Sequence, residues 1–155
     1  MRDWKRVFGS VVLMAAVVAP AAVGCGDGGD GNDKDFVTGL CEASSALRAG
    51  VEKAVKDGAS STAPGKTVEL MVAPVDAFVK AFGDLNPPKD LKTWHKDATE
   101  QLEKTAETFR NEKQLTALAT FNDSPVPDPP ADAKARLQTA AQDVPECQGV
   151  AFLKP

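Results

Sequence analysis

The side chains able to do acid-base, nucleophilic or metal chemistry are few: one histidine, His95, and three cysteines, Cys25, Cys41 and Cys147. An imidazole can act as a general base or as one metal ligand. A zinc site needs further nitrogen or sulfur ligands, and neither a second histidine nor a nearby cysteine stands beside His95. Serines and aspartates could complete a Ser-His-Asp set, yet the sequence has no Gly-x-Ser-x-Gly elbow and no phosphate-binding glycine loop. The simpler reading makes His95 a half-buried ring at the edge of a helix bundle, in the stripe of Leu91, Ala98 and Leu102 and next to Trp94. A hydrolase using His95 is the distant alternative. The cysteines form no Cys-x-x-Cys pair and have no evident basic neighbours, which argues against redox exchange. Gly28, Gly29, Asp30, Gly31, Asn32 and Asp33 match the core of a calcium-binding β-helix repeat, but those repeats bind calcium between stacked copies and only one copy is present.

The position of Cys25 is more telling than its chemistry alone. Arg2, Lys5 and Arg6 form a basic start, and residues 7–24 (VFGSVVLMAAVVAPAAVG) carry no charge. That is an n-region followed by an h-region, oriented by the positive-inside bias. The run ends in Ala22-Val23-Gly24-Cys25, which resembles the lipobox of bacterial membrane lipoproteins, with Ala22 where the family usually has Leu. The resemblance covers about the first sixth of the chain. It implies a signal peptide over residues 1–24, a diacylglyceryl group and acyl chains such as palmitate on Cys25, and a domain facing outside the cytoplasm. Two other outcomes stay open: conventional cleavage after Ala21 or Ala22, and an uncleaved anchor. Pro20 and the short apolar run weigh against a membrane span. An odd cysteine in an exported chain needs an explanation. A lipid on Cys25 supplies it and leaves Cys41 and Cys147 as one structural disulfide, permitted outside the cytoplasm.

Removing residues 1–24 from the 155 leaves 131, enough for one domain. Of the 18 basic and 22 acidic residues, 15 and 21 remain, a balance that excludes nucleic acid as a partner. Such an acidic domain is repelled by an anionic bilayer, so the lipid on Cys25 should carry the membrane contact. Residues 25–35 read as a lipidated, Gly/Asp-rich tether whose ten residues after Cys25 span about 17 Å on average and about 35 Å at most.

The ectodomain, residues 36–155, is periodic. Phe36, Leu40, Ala43, Leu47, Val51 and Ala54 predict a first helix to about Asp57, ended by Gly58. Val68, Met71, Val72, Val75, Val79 and Phe82 predict a second, with Phe78 and Leu85 on its border and Pro74 on the outer side, where it should kink or restart the helix. After Asn86-Pro87-Pro88 a third stripe runs from Leu91 through Trp94, Ala98, Leu102 and Ala106 to Phe109, with a phase slip after Arg110 that predicts a bend or a short extra helix carrying Leu115, Leu118 and Phe121. Asp128 should cap a fourth helix with Pro129 in its first turn and Ala133, Leu137, Ala140, Ala141 and Val144 on its apolar side. Pro145 stops it, and the tail with Cys147 folds back. No segment alternates as a strand does.

The expected fold is therefore all-α: an antiparallel four-helix bundle closed by one disulfide, after a signal helix and a tether. The expected function is a non-enzymatic binding or interaction module of the cell envelope, without cofactor or metal, whose partner is an unidentified envelope protein or small ligand. A ligand-binding alternative places an apolar cavity around Phe78, Phe82, Trp94 and His95.

Overall fold

In the computed structural model the described residues are 30–63, 65–112, 126–150 and 153. The signal segment, Cys25, and the predicted bend with Leu115, Leu118 and Phe121 lie outside them. Among the described residues four α-helices form: α1 (Asp33–Ala59), α2 (Lys66–Gly83), α3 (Lys92–Glu112) and α4 (Ala131–Ala141). Single 3-10 segments, Lys89–Leu91 and Pro145–Gly149, precede α3 and follow α4. Among the described residues there is no strand.

The long helix α1 is the hub, packing against α2, α4 and the C-terminal 3-10 segment, while α3 packs on α2. This explains why its buried arc is wider than one stripe. Phe36, Leu40, Ala43 and Leu47 are buried as their spacing predicts, and Val37 and Cys41 join them on a second side. Cys41 is thus fully buried. Cys41 and Cys147 form a disulfide with α-carbons 4.9 Å apart, joining residues 106 positions apart. Val144, Val150 and Leu153 are buried beside it, so the tail does fold back.

Along the α1–α2 contact, a Cβ added at Gly39 would meet Leu85, one at Gly50 would sit 2.5 Å from Pro74 Cβ, and one at Gly58 would meet Thr67. The contact order rises along α1 and falls along α2. At Gly50 the approach demands a missing side chain because the pyrrolidine ring occupies the space, and at Gly58 because Thr67 does. Pro74 therefore faces α1 rather than the outer side. α2 runs unbroken through it, without the expected restart, because neighbouring helix packing compensates the one hydrogen bond proline removes.

Four helix boundaries also differ. Gly58 does not end α1: it is buried against Thr67, and the helix continues to Ala59. α1 starts at Asp33, before the first apolar residue of its stripe, because Asn32 accepts a hydrogen bond from the Asp35 amide and Asp33 and Asp35 sit in the first turn, where the helix dipole favours negative charge. The segment assigned to a tether thus ends inside the fold. α4 starts at Ala131 behind Pro130, without a side-chain cap, while Asp128 pairs with Lys134 at 2.7 Å; it ends at Ala141, leaving Val144 extended ahead of the 3-10 segment that Pro145 opens.

Candidate functional site

The four residues expected around a cavity are brought together, as a packed group of rings. α2 supplies Phe78 and Phe82, α3 supplies Trp94 and His95 from its first turns, and Phe36 of α1 closes the group. Phe82 meets His95 at 4.8 Å and Trp94 at 6.2 Å between centroids, Phe36 meets the same two at 5.8 and 6.3 Å edge-on, and Phe78 meets Phe82 at 6.3 Å. Edge-to-face and offset pairs at these distances are attractive beyond the area they bury. Phe36, Phe78 and Phe82 are among the most fully buried side chains in the domain.

His95 is deeper than its stripe position suggests, at 7% exposure. Its Nε2 lies 2.8 Å from the Phe82 carbonyl oxygen. A carbonyl can only accept, so the ring Nε2–H donates. Phe82 lies in the last turn of α2, where carbonyls lack intrahelical partners, and the imidazole satisfies one of them together with the Leu85 amide. The ring thus joins the end of α2 to the start of α3. Trp94 is half-buried, and its Nε1–H is buried with no hydrogen-bond partner. That is the one orphaned donor in the ring cluster, and such groups cost stability unless something accepts from them.

An open groove of about 490 Å³ lies elsewhere, between α2 and α3. Val79, Gly83 and Ala106 line it together with charged residues, among them Asp76, which pairs with Arg110 at 3.3 Å, and Lys80, which pairs with Asp84 at 2.5 Å. None of Phe78, Phe82, Trp94 or His95 lines it. Among the described residues no group of three or more His, Cys, Asp or Glu side chains gathers as a metal site, and no helix is long and apolar enough to cross a membrane.

The sequence reading missed an ionic knot at the start of α1. Arg136 of α4 holds Asp33 through Nε at 2.7 Å and Nη2 at 3.1 Å, and reaches Asp90 of the 3-10 turn at 3.0 Å. Asp33, and then Asp90, hold the guanidinium charged well above its already high ordinary pKa. Lys92 pairs with Asp30 at 2.6 Å, and the Gly31 amide donates to the Pro87 carbonyl at 3.2 Å. The available signal was Asn32 followed by Asp33 and Asp35, a helix cap with an acidic first turn, within a composition that reads as linker. The ion-pair partners are 46 and 103 positions apart, beyond any local pattern. The chain matches no family model, and neither the curated proteins nor the solved structures contain a match to it.

Proposed function

We propose that this protein is an exported bacterial lipoprotein, processed and lipidated at Cys25, whose helical domain is an antiparallel four-helix bundle serving as a non-enzymatic interaction module of the cell envelope. The observation that carries the reading is the Cys41–Cys147 bond. With that pair closed, Cys25 is the single cysteine left over, and it stands at the end of the lipobox-like leader. A disulfide buried in the fold suits an oxidising compartment. The opposite contact order along α1 and α2 supports the antiparallel arrangement, as do the pairs Gly83–Thr99 and Asp76–Arg110 between α2 and α3.

An interaction role draws support from where the reactive groups are used. The imidazole Nε2–H is engaged with the Phe82 carbonyl, and the aromatic rings pack against one another between the helices. Cys25→Ser should shift the protein from the membrane fraction to the soluble extracytoplasmic fraction, and crosslinking in intact cells should capture the same envelope partner only with the wild type. Retention of the Cys25→Ser chain in the membrane would overturn the anchor.

The small-ligand alternative keeps one observation, the orphaned Trp94 Nε1–H. A ligand with an acceptor atom would satisfy it. Removing residues 1–24 leaves Trp94 as the sole tryptophan, so its fluorescence reports such binding directly. A saturable shift on titration with envelope extract lipids or metabolites would favour this alternative; a flat titration favours the interaction module.

A further inference from the structure

We propose that the ionic knot at the start of α1 clasps residues 30–35 onto the body and thereby turns that end of the domain toward the bilayer at short range. The inference rests on Cys25 carrying the lipid, as proposed above. If residues 25–35 were all free, the body would lie as much as about 35 Å from the anchor. The contacts of Asp30 with Lys92, of the Gly31 amide with the Pro87 carbonyl, and of Asp33 with Arg136 and Asp90 remove most of that length. Only residues 26–29 separate Cys25 from Asp30. Five residue steps reach at most about 18 Å, whatever their conformation.

The geometry then selects an orientation. α1 has 27 residues and is about 40 Å long, so the turn after Ala59 lies far from the anchor while Lys89, Asp90, Lys92 and Arg136 lie next to it. Charge agrees with this placement. Segments 30–35 and 89–92 together with Arg136 hold four acidic and four basic side chains, whereas residues 25–155 hold 21 and 15. The clasp itself is thus balanced in charge while the chain as a whole is acidic, so an anionic lipid surface repels the clasp less than an average part of the domain.

Gly31 makes the clasp separable from its charges. A Cβ there would fall 1.9 Å from the Asn86 carbonyl oxygen, a backbone atom that cannot swing aside, so Gly31→Val should push the segment off while leaving every ion-pairing residue in place.

The test uses the full-length lipidated protein in vesicles bearing an acceptor dye on the lipid headgroups, with a donor dye on Lys89→Cys or on Ser61→Cys and the native disulfide left oxidised. Both positions are exposed. Energy transfer should be at least about threefold stronger from position 89 than from 61, given the helix length between them. Adding Gly31→Val, with helicity unchanged by circular dichroism, should bring the two signals to within about 1.5-fold by restoring the longer tether. Equal transfer from both positions in protein that floats with the vesicles would overturn the clasp while leaving the anchor standing. Protein that does not float would overturn the anchor and this inference with it.

Discussion

The two flanks of α1 are held by different means. Toward α2 and α3 the contact is aromatic and continuous: Phe36, Phe78, Phe82, Trp94 and the His95 ring touch one another, and Val68, Met71 and Val75 extend the contact along α2. Toward α4 the apolar side chains are smaller and fewer. That helix has 11 residues, and its buried positions are Ala133, Leu137 and Ala141. A helix so short is not stable by itself and must be held by its surroundings. Here the surroundings include a covalent bond from α1 to the segment just after α4, with Cys147 Sγ 4.0 Å from the Val37 carbonyl oxygen. The difference teaches that the disulfide reinforces the flank where burial is thin, and that the aromatic flank holds without one.

Phe82→Ala attacks the aromatic flank at its centre and should have the largest effect. Removing a fully buried phenyl ring costs about 3–5 kcal/mol. Urea denaturation measures it; a loss below about 1 kcal/mol would mean the ring cluster does not support the fold.

Breaking the other flank should cost somewhat less and act locally. Reduction, Cys41→Ser and Cys147→Ser should each lower stability by about 2–5 kcal/mol, and the two substitutions should not add in the double mutant, because they remove one and the same crosslink. Hydrogen exchange should then rise first in α4 and the C-terminal segment, with α2 and α3 still protected. Uniform loss of protection would show that the flanks are not separable.

His95→Gln is a finer probe. It should cost about 1 kcal/mol by disturbing ring packing and the bond to the Phe82 carbonyl, with partner capture unchanged. Lost capture in a normally folded variant would promote Trp94 and His95 to a working site. The smallest effect should come from Arg136→Ala, below about 1 kcal/mol because its ion pairs are partly exposed, and less again in high salt.

The sequence revealed what depends on local period. The core positions of α1, α2 and α3 follow their stripes, and cysteine arithmetic reached the right pair. It failed where a second neighbour decides. A single stripe has one inside and puts Pro74 outward, whereas α2 packs on both α1 and α3. The stripe of α3 puts His95 at an edge because its carbonyl partner belongs to another helix. Asp128 reads as a cap but is drawn to Lys134 instead, and Asp33 reads as linker until Arg136 is brought beside it. In the aromatic group, sequence identified all four ring residues, and the structure added Phe36, whose stripe had marked it only as the start of a core face.

The reading as a whole turns on how the three cysteines are used, and one mass-spectrometric measurement reports on all of them. Protein extracted from membranes without reductant, with free thiols blocked, is digested and its cysteine peptides are weighed. The expected result is an N-terminal peptide that begins at Cys25 and carries acyl chains, together with a peptide pair crosslinked through Cys41 and Cys147. An unlipidated peptide beginning at Ala22 or Val23, an intact leader, or blocked thiols at Cys41 and Cys147 would contradict it.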